Sequence, residues 1–263
     1  MGKRLSFPTR SFGSDAGLPD AASLSGWVSA RRGREGDLTS FLLEQELSVQ
    51  QTAGVNLPCA GGKFYFERWQ DALTGIDGSR VTGEVGYDPA LIVRDAEEVS
   101  AMVRGVWMTI PAPHLLTLKD HYYADADEYS LAIHTMYQHM MRSGRDAHLA
   151  GHVLFCEQIL QEELEALAGK KTLFFSPDMN RKSLSRCLEY QQIVAVRAGM
   201  LPVLQELMDE YEVFRIILLD PDEDDLRQAL TMRDPDQITC GGYCPGECRE
   251  YWKDLVKKSS ILK

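Results

Sequence analysis

At 263 residues, with 44% hydrophobic and 25% charged side chains, the chain has the composition of a globular protein with a real core, as one large domain or two smaller ones. No apolar run in the sequence approaches the roughly 20 residues that cross a bilayer, so no membrane span is expected. The net charge of −11 argues against general nucleic-acid binding, which needs a basic face.

Residues 1–36 hold six Lys/Arg and three Asp/Glu, are rich in Gly and Ser, and lack a sustained apolar period. They predict a flexible N-terminal arm, with residues 37–263 forming the globular domain. No apolar stretch follows the first basic residues, so no secretory signal is read and a cytoplasmic setting is the default. Met1, Gly2 and Ser6 fit the loose pattern of a myristoylation site.

Asp37 is placed to cap a helix of about 12 residues that buries Leu38, Phe41, Leu42 and Leu47. The Gly-rich stretch 52–88 offers short strand or turn structure around Phe64, Phe66 and Trp69. Ala90–Val93 reads as a short strand, Asp95–Arg104 as a helix, and Val106–Ile110 as a second apolar strand stopped by Pro111 and Pro113.

Two helices are expected over 127–143 and 146–168. In the second, Leu149, Val153, Cys156, Leu160, Leu164 and Leu167 recur at three- and four-residue steps, and Gly169 follows as a C-terminal stop. A strand at Thr172–Phe175 comes next, then the turn Ser176, Pro177, Asp178 and a helical stretch over 182–198. A further helix runs from Pro202 to near Tyr211, Val213–Leu219 is a strand, and 223–232 is a helix. Strands joined by helical crossovers favour parallel pairing. The fold class is therefore α/β, with a mixed or mostly parallel sheet, flanking helices and a small Cys-rich C-terminal segment at 238–258.

That segment carries Cys240, Cys244 and Cys248 in a C-x3-C-x3-C run. Thiolates next to glycines and a helix start suit an iron–sulfur cluster or a zinc site completed by one more ligand, and Cys59, in its own Pro/Gly setting, is the candidate fourth. The spacing differs from common zinc-knuckle and ferredoxin runs. A redox-active thiol pair, or reduced thiols in a packed turn, are the other readings.

All six histidines fall between 114 and 152. On the expected helix, His148, His152 and Cys156 stack at steps of four, an arrangement able to hold a divalent metal or to act in acid–base catalysis. The alternative is histidines at the edge of an apolar stripe. Asp178 and Asp220 follow the two clearest strands, where ligands of parallel sheets bind, although turn and cap chemistry also uses such residues.

Taken together, the sequence points to a metal-binding cytosolic enzyme with a cysteine-ligated iron–sulfur or zinc centre near a sheet-end pocket. The other readings are a divalent-metal hydrolase built on His148 and His152, or a binding protein stapled by structural zinc. The expected partner is a small-molecule substrate or another protein. No nucleotide-loop, Rossmann, zincin or serine-hydrolase signature is present.

Overall fold

The computed structural model describes residues 4–31 and 35–262; Met1 and Gly2 of the myristoylation pattern lie outside them. Eight short strands form the centre: β2 (Thr9–Ser14), β3 (Cys59–Gly61), β6 (Trp107–Pro111), β8 (Gly151–Phe155), β9 (Thr172–Phe175), β10 (Ile193–Arg197), β11 (Arg215–Leu219) and β12 (Ile238–Cys244). β3, β6, β8 and β9 pair in parallel, as do β10, β11, β12 and β2.

Two seams close these sheets into a ring. β2 meets the β3 segment through parallel bridges Arg10–Leu57 and Ser14–Gly62. Between β9 and β10 a side chain substitutes for a ladder. The Gln191 amide accepts from Phe174 N at 3.0 Å and donates to the carbonyls of Phe174 and Ile193 at 3.2 and 3.1 Å. Inward residues from around this ring, including Phe12, Cys59, Val153, Leu173, Ala195 and Ile217, pack together as one cluster. The result is a closed eight-stranded parallel barrel whose interior is filled by side chains.

Each barrel strand is followed by helix. In chain order these are α1 (Ala21–Ala30) and α2 (Leu38–Ala53), α3 (Phe66–Asp71) and α4 (Ala90–Met102), α5 (Ala126–Asp146), α6 (Gln161–Leu167), α7 (Arg181–Leu188), α8 (Leu201–Leu207), α9 (Glu223–Ala229) and α10 (Cys248–Lys258). Carboxylate or amide side chains cap several of them: Asp20, Asp37, Asp125, Asn180 and Asp222 each accept from an N–H of the first turn, as the sequence chemistry of helix starts requires. A second, larger core lies between strands and helices, with Trp69, Tyr137, Phe174 and Trp252 fully buried. Outside the barrel, β4 (Leu73–Asp77), β5 (Arg80–Tyr87) and β7 (Lys119–Asp120) form a small sheet, and β1 (Arg4–Ser6) pairs antiparallel with β13 (Ser260–Leu262).

The expected mostly parallel α/β sheet with flanking helices is what the structure shows. Several boundaries differ. Thr9–Ser14, expected within a flexible arm, is a fully buried barrel strand, because pairing with β12 on one side and β3 on the other satisfies its backbone. Ala90–Val93 begins α4. The expected helix over 146–168 is strand β8, a loop and α6, and that over 182–198 is α7 followed by β10. The Cys-rich segment is integral to the barrel, since β12 and α10 are the last strand and helix of the ring.

Candidate active site

In a parallel barrel the loops after the strands gather at one end, and that end carries the chemistry. Here its floor is aromatic. Phe12 and Phe175 stack with centroids 4.2 Å apart, Phe155 meets Phe175 at 5.9 Å, and Tyr243 lies 5.2 Å from Phe155. Three polar side chains converge above this floor from the ends of β2, β3 and β12. Tyr243 donates its hydroxyl hydrogen to Asp15, and the Lys63 backbone N–H donates to Tyr243 Oη at 3.2 Å. Lys63 Nζ lies 3.6 Å from Asp15 and 5.3 Å from the centre of the Phe155 ring. Burial, followed by the hydrogen bond and negative charge of Asp15, holds the Tyr243 hydroxyl well above the usual tyrosine range. Tyr243 is therefore a protonated donor.

Gly62 makes this meeting possible. Its φ is 148°, and a Cβ there would come within 1.9 Å of Ser14 O. Only glycine lets the ends of β2 and β3 approach so closely. Behind them, α2 presents Glu46, whose carboxyl accepts from Gly61 N at 2.8 Å. Complete burial, partly offset by Ser14 and Gly61, pushes its pKa well up.

A second polar set follows β10 and β11. Asp220 accepts from Tyr251 of α10 and pairs with Arg197 at 3.2 Å. Its φ of 48° places it in the left-handed region, a conformation that asparagine and aspartate tolerate better than most residues. Asp178 lies at the same end of the barrel, exposed, beside a cavity of about 170 Å³ that it shares with Arg197 and Met200. Further round the rim, His114 Nδ1 lies 3.0 Å from the buried carboxylate of Glu163.

The cysteines do not form a metal centre. Cys244 and Cys248 are joined in a disulfide, which leaves neither as a thiolate. Cys59 points into the barrel, its Sγ 3.1 Å from Thr109 Oγ1, whereas Cys240 belongs to the core outside the strands. The barrel wall separates them. Burial pushes the Cys59 thiol up to about 12 and the Cys240 thiol up to about 11, so both are neutral thiols. Among the described residues no group of three or more His, Cys, Asp or Glu is placed to hold a metal ion. The expected iron–sulfur or zinc centre, whether catalytic or a structural staple, is overturned.

The histidine stack fails for a related reason. His152 lies in β8, not on a helix, and faces the helical layer, with its ring 6.2 Å from that of Trp69. It is fully buried and neither ring nitrogen has a hydrogen-bond partner; burial lowers its pKa to about 3. His148 is exposed in the turn before β8, at the opposite end of the barrel from the mouth. No hydrolase centre joins them. Asp178 and Asp220 do occupy strand ends, as expected, but Asp15, Lys63 and Tyr243 escaped the sequence reading. The glycines Gly61 and Gly62 signal only that the backbone approaches a neighbour closely there, not which residues it meets.

No protein-family model matches the chain, and no curated protein matches it. Solved structures do resemble it. A B12-independent methionine synthase from Shewanella sp. W3-18-1, in complex with selenomethionine, aligns with a TM-score of 0.67 at 15% identity, covering 97% of this chain and 96% of that one. A Listeria monocytogenes protein assigned as a vitamin-B12-independent methionine synthase aligns with a TM-score of 0.54 at 13% identity, over 96% and 94% of the two chains. At such identities the likeness establishes the barrel fold, and the chemistry has to be read from the chain's own residues.

Proposed function

We propose that this protein is an enzyme performing acid–base chemistry on a small carboxylate-bearing molecule held at the C-terminal mouth of its barrel. The observation that carries this reading is the convergence of Asp15, Lys63 and Tyr243, from three different strands, onto the Phe155 and Phe175 floor. Lys63 supplies a cation for the substrate carboxylate. Asp15 is the base, and Tyr243, kept protonated, orients it through their hydrogen bond. The aromatic rings beneath exclude water from one side of the bound molecule. Arg197, held by Asp220, is a second cation on the rim.

The Shewanella neighbour was solved with an amino acid bound, so methionine and other small amino and hydroxy acids are the first molecules to try. The reading retains no general nucleic-acid partner, which rests on the net charge of −11. No helix among the described residues is long and apolar enough to cross a membrane.

The test is a panel of small carboxylic acids scored by the rise in Tm and then by calorimetry. At least one acid is expected to bind. Lys63→Met should weaken it by about tenfold or more, the value of one hydrogen bond to a charged group. Asp15→Asn should keep binding within a few-fold and abolish turnover. Equal affinity in Lys63→Met, or no binding by any acid, contradicts the reading.

A further inference from the structure

The opposite end of the barrel holds a feature that the mouth does not use. Arg10 lies on the same inward face of β2 as Phe12, with only 9% of its surface exposed. Its guanidinium carbon sits 4.4 Å over the Trp107 ring and 5.7 Å from that of Phe12. Nε and Nη2 are buried and have no acceptor among the described residues. Burial, and to a lesser degree the neighbouring cation Arg215, lowers the Arg10 pKa; Arg215 is itself held 3.5 Å from Thr239 Oγ1. Cys59, also nearby, is a neutral thiol and no counter-ion.

An arginine buried without an anion is costly, and such groups are normally paired. Arg10 borders a cavity of about 560 Å³ that opens between the starts of β9 and β10, within the size range of small-molecule sites. Lys170 adds a cation to its lining, Tyr190, Trp107 and Phe214 add aromatic surface, and of its two acids Glu212 is already bonded to Gln192. Gly151 keeps the Trp107 platform in place, since a Cβ there would lie 2.9 Å from that ring.

We infer that the N-terminal end of the barrel is a second binding site, for a small molecule bearing a carboxylate or phosphate, with Arg10 as its anchor and Trp107 as its platform. A planar guanidinium fixed on an aromatic face holds its N–H donors in one set direction for an oxyanion, which neither a lysine nor a mobile arginine does. The strand-end chemistry lies at the other mouth, so occupancy here regulates or stabilises the enzyme and takes no part in turnover.

The probes are inorganic phosphate and malonate, titrated at constant ionic strength into the full chain and followed by Trp fluorescence and Tm. Saturable binding of at least one is expected, with a shift of the Trp107 indole N–H resonance, assigned through Trp107→Phe. Arg10→Met should weaken that binding by about tenfold or more, Arg10→Lys should weaken it while preserving the charge, and Lys63→Met should leave it unchanged. The Lys63 variant separates this site from the mouth, so failure of one reading does not decide the other. No saturable binding to the wild-type chain, binding that leaves the Trp107 resonance unmoved, or undiminished binding in Arg10→Met overturns the inference.

Discussion

His152 and Glu46 are buried without a counter-charge, and they bend the pH dependence of stability in opposite directions. His152 has its pKa lowered from 6.5 to about 3 by burial. Its contribution is complete above pH 6.5 and is lost as pH falls towards 3, at about 1.4 kcal/mol per pH unit. Glu46 is raised well above 4.5 by burial, so its contribution is complete below pH 4.5 and is lost as pH rises through the folded value. Where the two ranges overlap, above pH 4.5, the two slopes oppose each other. Urea denaturation across pH should therefore show the acid-side slope reduced in His152→Leu. In Glu46→Gln, which keeps an acceptor for Gly61 N, the alkaline-side slope should be reduced and stability at pH 8 raised. A variant with an unchanged profile would show that its residue is not buried as described.

At the scale of elements, the seam between β9 and β10 depends on one side chain. Gln191 makes three hydrogen bonds to the backbone of these strands. Gln191→Ala should cost about 2 kcal/mol and speed hydrogen exchange at Phe174 N; a loss below about 0.5 kcal/mol would mean the seam closes without it. The same scale explains what the sequence concealed. The start of α2 was legible because Asp37 caps it through local chemistry, and the starts expected near 182 and 223 fall close to the caps Asn180 and Asp222. Barrel strands are buried on both faces and show no alternation, so only the apolar runs at Thr172–Phe175, Val213–Leu219 and Val106–Ile110 stood out. Gly151–Phe155 fell into accidental three- and four-residue spacing with Leu149, Leu160 and Leu164, and that coincidence created the false His148–His152–Cys156 face. Ala90–Val93 shows the converse, a short apolar run that length alone cannot assign.

Across the whole molecule, closure of the ring decides which residues meet. Asp15, Lys63 and Tyr243 lie far apart along the chain and become neighbours because β12 pairs with β2 and β2 meets β3. No local pattern encodes that adjacency, which is why the strand-end aspartates were visible from sequence and the central trio was not. The same closure puts Cys59 and Cys240 on opposite sides of a wall, although both had looked like ligands from their glycine-rich settings. The most direct measurement of the central claim is an amide-resolved NMR titration of the wild-type chain with the tightest-binding small carboxylic acid. The account predicts saturating shifts at Gly62, Lys63 and Tyr243 that disappear in Lys63→Met. Binding that leaves those three resonances unmoved would contradict it.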